Sequence, residues 1–200
     1  ISRRQIANWL KNQEISQLHQ QHQNAKDIKS TILSAPYKQI GIDLVDMQNF
    51  EKKGHKYLLN GVDLFSRKMY SVPLKNKEDK TVLAGFKKIV TKMPHLGSVR
   101  SDNGSEFIAK VFQKYLDDNS IHQVLSKSHA PQSNGSLERF NQTLKRLIHK
   151  HIEMKNDYDW VKNINTLTDN MNNTIIDKLN KTPNQIEQEF NDDDKVKTQE

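Results

Sequence analysis

Apolar residues crowd the stretch from 36 to 152, while residues 11–30 and 189–200 are almost wholly polar. Within the crowded stretch the spacing changes character several times. Ile40, Ile42 and Leu44 alternate with their neighbours in YKQIGIDLVDM, the period-two pattern of a strand with one buried face. Two more runs rich in β-formers, YLLNGVDLFS and KMYSVPL, predict an antiparallel meander, with charged EKKGHK and Gly54 as its first turn. At 78–93 the period lengthens, and Val82, Leu83, Phe86, Ile89 and Val90 predict an amphipathic helix. The short strand SVRSD follows, ending at Asn103-Gly104, where Gly104 is expected to let the chain turn sharply. A helix over 106–118 comes next, with Phe107, Val111, Phe112 and Tyr115 facing inward. IHQVLS reads as a fifth strand, 126–136 as a polar loop, and Leu137 to about Met154 as a long helix.

This order predicts an α/β fold built on a mixed five-stranded sheet flanked by helices. Outside it, Ser2 can cap a short helix, SRRQIANWLKN, and a Gln-rich polar linker follows. Two C-terminal helices are expected in DWVKNINTLTDNMNNT and TPNQIEQEF, the second opened by Thr182-Pro183. The expected organisation is therefore an N-terminal helix and linker (1–35), a core (36–155), and a helical extension with an acidic tail (156–200).

Charge adds a partner class. The chain has 200 residues and a net charge of +7, which favours a polyanion. With no cysteine, neither a disulfide nor a thiolate zinc site can form. No apolar run approaches the roughly 18–20 residues of a membrane span. The start at Ile1 reads as a fragment cut from a longer protein.

The candidate chemistry lies in three acids, each in its own motif: Asp43 in QIGIDLVDM, Asp102 in VRSDNGSEF, and Glu138 in SHAPQSNGSLERFNQTLK. Each has a bland alternative. Asp43 could be a strand Asp paired with Lys or Arg, Asp102 a plain Asp-Asn-Gly turn, and Glu138 a first-turn helix glutamate. Against these, Asp43 sits among aliphatics, where an unpaired charge is costly and a metal ion offsets the cost. Asp46, three residues on, points to the opposite face and cannot share a site with Asp43. On the long helix, Leu137, Phe140, Leu144, Leu147 and Ile148 form a core side, whereas Glu138, Gln142, Lys145 and His149 form a second stripe.

Taken together, the three motifs, with 35 residues between Asp102 and Glu138, resemble the catalytic core of the retroviral-integrase superfamily, the Asp-Asp-Glu polynucleotidyl transferases. The lean within it is toward integrases of Polinton or Maverick DNA transposons or of retroelements. The resemblance implies a ribonuclease H-like fold with helical N- and C-terminal extensions. It also implies two Mg²⁺ or Mn²⁺ ions, Asp43 bridging both, Asp102 holding one and Glu138 the other. Oxygen-only ligands suit such hard cations. Asp63 occupies a position that accompanies the family motif without binding metal. Ala130 to Gly135 match the family's flexible catalytic loop. His19 and His22 have no cysteines to complete the zinc domain that integrases often carry.

The implied activity is DNA 3′-end processing, an endonucleolytic step, followed by strand transfer that inserts a mobile element into target DNA. Asn134, Gln142 and Lys145 are the candidates for gripping DNA, with Lys127 and His129 behind them. Expected partners are element ends and target duplex, in a homodimer or larger assembly, in the nucleus or wherever element and host DNA meet. A cut-and-paste transposase or a ribonuclease H-type nuclease is the rival within the superfamily. Outside it stands a domesticated, catalytically silent DNA-binding or assembly module, whose mark would be a lost carboxylate; this chain keeps all three.

Overall fold

The structure is a computed structural model that describes residues 33–126, 135–154 and 158–197, with side chains up to 191. The expected helix over 2–12, His19, His22, Lys127, His129 and Asn134 lie outside the described residues.

Five strands carry the fold: β1 (Gln39–Asp46), β2 (Tyr57–Asp63), β3 (Met69–Leu74), β4 (Ser98–Ser101) and β5 (His122–Leu125). They lie in the order β3-β2-β1-β4-β5. The first three form the antiparallel meander, and β4 and β5 are added in parallel. The helices are α1 (Asp79–Val90), α2 (Ser105–Ile108), α3 (Lys110–Asp118), α4 (Gly135–Met154), α5 (Trp160–Asn172) and α6 (Pro183–Lys197).

Strand alternation sends side chains to two separate cores. Ile40, Ile42, Leu59, Tyr70 and Leu74 pack against Val82, Phe86, Phe107, Phe112 and Leu116 of α1, α2 and α3. Val45, Leu58 and Val62 pack on the other face against Leu137, Phe140, Leu144 and Ile148 of α4 and Trp160, Ile164 and Leu167 of α5. Gly41 sits where α4 begins: a Cβ there would lie 3.6 Å from a Leu137 methyl.

The outer edge of β3 is closed by two devices. Asn172 of α5 accepts from the Met69 N–H (2.8 Å) and donates to its carbonyl (2.9 Å), pairing with it as a neighbouring strand would. Pro73 offers no N–H to an incoming strand.

The expected single helix over 106–118 is two helices. Ala109 is extended (φ −58°, ψ 142°) and separates α2 from α3. The break resets the helical phase, so Phe112 and Leu116 point inward while Val111, expected inside, is 39% exposed. The last helix runs on to Lys197, past the expected end at Phe190. It opens with a reciprocal cap: Thr182 Oγ1 accepts from the Gln185 N–H (3.1 Å), and Gln185 Oε1 accepts from the Thr182 N–H (2.9 Å). Its Glu187 receives hydrogen bonds from the Tyr37 hydroxyl and the Lys68 ammonium, tying α6 to the segments that lead into β1 and β3.

Candidate active site

Asp43 lies in mid-β1 on the face covered by α4 and α5, and Gly41, two residues earlier, pairs with Arg100 of parallel β4. Continuing that register by two residues sets Asp102, just past the end of β4, beside Asp43 where the strands part. Parallel strands run in the same direction, so both carboxylates emerge at one end of the sheet. Glu138 arrives from the third element, in the first turn of α4. Asn141, three residues further along that helix, donates to Asp43 Oδ2 at 2.6 Å, so the turn bearing Glu138 is seated against Asp43.

The electrostatics agree with this convergence. Burial raises the Asp43 carboxyl above its ordinary value, and the charges of Asp102 and, more weakly, Glu138 push it the same way. Hydrogen bonds from the Leu44 N–H (2.9 Å) and from Asn141 oppose the rise. Each Asp43 oxygen accepts one such bond and keeps a second lone pair. Among the described residues, no three histidine, aspartate or glutamate side chains are already gathered as a metal-ion cage. Asp102 is exposed and its carboxylate is turned back to the Gly104 N–H at 3.0 Å.

The turn at Gly104 does not use the conformational freedom expected of it. Its φ of −55° is open to any residue. A Cβ there would lie 3.1 Å from Asp102 Oδ1 and 3.0 Å from the Glu106 carboxyl carbon, tight contacts with two side-chain ends that can turn aside. Glu106 is thus a further acid close to Asp102, and the sequence reading did not single it out.

The neighbouring acids separate cleanly. Asp46 is exposed and bonds the Gln48 N–H and side chain. Asp63 is fully buried and accepts from the Tyr37 N–H (2.9 Å), the Ser66 N–H (2.7 Å) and the Ser66 hydroxyl (2.6 Å), which makes it a tie between loops.

Along α4, Glu138, Gln142, Lys145 and His149 are all exposed, and Leu137, Phe140, Leu144 and Ile148 are buried. His149 also packs against the Phe50 ring at 4.7 Å and lies 3.3 Å from Glu153. Besides Glu106, the residues missed by sequence reasoning are Asn141, Asn60 and Ser71. Asn60 alone carried a signal, a polar residue set among the aliphatics of YLLNGVD.

Comparison with known proteins gives the family. Residues 34–131 match the model of the integrase core domain, a range that takes in Asp43 and Asp102 and stops before Glu138. The chain is 34% identical over 131 residues to the Gag-Pol polyprotein of avian reticuloendotheliosis virus, covering 64% of this chain and 11% of that one. Against the Gag-Pol polyprotein of gibbon ape leukemia virus it is 36% identical over 112 residues, or 54% and 6% of the two chains. The chain therefore spans only a small part of the curated relatives it matches. In fold it is similar to a chain of a simian T-cell lymphotropic virus intasome (TM-score 0.73, 19% identity, 94% of this chain and 67% of that one). It is also similar to the HTLV-2 integrase catalytic core domain in complex with magnesium (TM-score 0.65, 20% identity, 77% and 98%). Residues 34–131 thus form an integrase core domain of the retroviral-integrase superfamily, and the five-stranded sheet in this order gives it the ribonuclease H-like fold.

Proposed function

We propose that this chain catalyses metal-dependent processing of DNA 3′ ends and transfer of those ends into target DNA, the chemistry that inserts a mobile element. The observation that carries the reading is the approach of Asp102 and Glu138 to half-buried Asp43 from two other elements, each adding unfavourable charge. A carboxylate pressed by the charges of two others is relieved by a cation, and an all-oxygen donor set fits Mg²⁺ or Mn²⁺. The magnesium bound by the HTLV-2 core supports the same assignment.

Asp43 and Asp102 would hold the ions from two hydrogen-bonded strands, and Glu138 would complete the set from α4. Bound there, the ions supply neutralisation of the scissile phosphate and a more acidic attacking hydroxyl. The rest falls to the chain's own groups. Asn141 and the Leu44 N–H hold the Asp43 carboxylate in one orientation. Gln142 and Lys145 lie one and two turns past Glu138, placed to contact a DNA backbone, and Asn134, just before α4 in the sequence, is assigned to the same contact. No side-chain nucleophile is needed. Joining two element ends calls for at least two copies of the chain, acting in the nucleus or wherever element and host DNA meet.

The test is a joining assay with a short duplex carrying a recessed 3′-hydroxyl, a supercoiled plasmid target, and Mg²⁺, Mn²⁺ or chelator. Joined or nicked products that vanish with chelator are expected. DNA binding with no product in either metal would instead identify a catalytically silent module.

A further inference from the structure

Asn60 stands in the middle of β2, 1% exposed, on a face otherwise made of Leu58 and Val62. An unbonded amide there is costly, and an aliphatic residue would pack without that cost. Its bonds continue across the sheet. Asp43, Asn60 and Ser71 oppose one another in register on β1, β2 and β3, forming one polar row through the apolar layer. Ser71 Oγ donates to Asn60 Oδ1 at 2.7 Å, and Asn60 Nδ2 donates to Asn141 Oδ1 at 2.8 Å. Asn141 Nδ2 then donates to Asp43 Oδ2 at 2.6 Å.

We infer that Asn60 and Ser71 are positioning residues that set the orientation of the Asn141 amide and, through it, the seating of α4 against Asp43. The inference rests on the proposed function, because it assigns these residues a task at that site. A primary amide accepts at one end and donates at the other. With the Asn60 NH₂ occupying the Asn141 carbonyl, the Asn141 NH₂ must face Asp43. The reversed arrangement sets the Asn141 carbonyl against a carboxylate, two acceptors without a proton between them. All three bonds therefore point toward Asp43, and each polarises the next.

The same row fixes the helix. Leu137, Phe140, Leu144 and Ile148 hold α4 on the sheet by apolar contact, which is non-directional and leaves small slides nearly free. The Asn60–Asn141 and Asn141–Asp43 bonds are directional, and β1 and β2 are locked in register beneath them. Glu138 is three residues before Asn141, so the setting of one amide decides where the glutamate stands.

Three variants test this: Asn60→Leu, Ser71→Ala and the conservative Ser71→Thr. In metal-free protein, the Asn141 side-chain NH₂ resonances should shift and exchange faster in Asn60→Leu and Ser71→Ala, and stay near wild type in Ser71→Thr. With Mn²⁺ and plasmid DNA, well below each variant's Tm, kcat should fall about tenfold in Asn60→Leu, the loss of roughly one hydrogen bond's free energy. KM for DNA should hold within about twofold, and Ser71→Thr should keep wild-type turnover where Ser71→Ala loses about threefold. Unmoved Asn141 resonances, or a lower Tm with unchanged kcat, would overturn the inference and leave the row as packing. If wild type joins and nicks no DNA, the proposed function fails separately, and the amide resonances still decide whether the row orients Asn141.

Discussion

The indole N–H of Trp160 donates to the backbone carbonyl of Phe50 across 2.6 Å, joining residues 110 positions apart. Phe50 ends the short 3₁₀ turn after β1, and its ring also meets His149 of α4. Trp160 itself is 1% exposed and shares a core with Leu144, Ile148 and Val62. One residue from beyond the family match thus braces both the strand and the helix that carry Asp43 and Glu138.

Removing that brace should be felt as stability. Trp160→Ala is expected to lower unfolding free energy by about 3–5 kcal/mol, the usual loss for a buried large aromatic. Trp160→Phe keeps most of the volume and loses the N–H, leaving the Phe50 carbonyl without that partner, at about 1–3 kcal/mol. Urea titrations followed by far-UV circular dichroism separate the two values. Near-neutral behaviour of the alanine variant would show that α5 is not integral to the core.

Glu138→Gln should abolish DNA joining while leaving fold and DNA binding close to wild type. The amide is isosteric but lacks the charge a cation requires, and the exposed position means little packing is lost. The measurements are joining in Mg²⁺, DNA binding by fluorescence anisotropy, and Tm. Normal joining by this variant would reduce Glu138 to a first-turn glutamate favourable to the helix dipole.

Much of this fold was readable along the chain because alternation and helical spacing report on one element at a time. Ile40, Ile42 and Leu44 gave β1 its buried face, and SDNGSEF together with the helical Glu138 pointed to the site. What resisted reading depends on how elements meet. Nothing in YLLNGVD says that Asn60 will oppose Asp43 and Ser71, because register is set by the turns and by packing on both faces. Asn141 looked like one more polar helix position, though it is the residue that touches Asp43. Val111 was misplaced because the extended backbone at Ala109 restarts the helical count, and no glycine or proline marks that break. Gly104 is expected to serve a sharp turn, yet its φ of −55° is one any residue adopts, and a dihedral angle is not written in a sequence.

Metal and pH should act on stability in linked ways. Burial first, and then the Asp102 charge, raise the Asp43 carboxyl; burial likewise raises Asp63. A group whose value is raised on folding adds stability below its unfolded value, near 4 for a carboxyl, and loses it as pH rises through the folded value. Metal-free protein should therefore lose stability on going from pH 4 to pH 8, and Asp43→Asn should lose less. At pH 8, Mn²⁺ about a hundredfold above its Kd should restore about 2.7 kcal/mol in wild type and little in Asp43→Asn. Calorimetry with and without chelator reads both. An Asp43→Asn protein that gains as much from Mn²⁺ as wild type would remove Asp43 from the ligand set.

The final prediction concerns Lys145. It stands exposed on α4 beside Gln142, past Glu138 on the same stripe, and the chain carries a net charge of +7. A lysine so placed has two ways to meet DNA, and salt tells them apart. Each phosphate contact releases counterions, giving a log–log slope of affinity against salt of about −0.9 per contact on duplex DNA. If Lys145 touches a phosphate, Lys145→Ala should flatten the slope by about one contact and weaken all duplexes alike. If it reads a base near an element end, the loss should be confined to cognate ends and the slope should hold. His149 serves as the comparison, because its ring also meets Phe50 and Glu153, and His149→Ala should flatten the slope less than Lys145→Ala. Binding by anisotropy across a salt series on two unrelated duplexes and an element-end duplex decides the matter. An unchanged slope together with unchanged end preference would make Lys145 a solvated helix residue and move the DNA path off this face of α4.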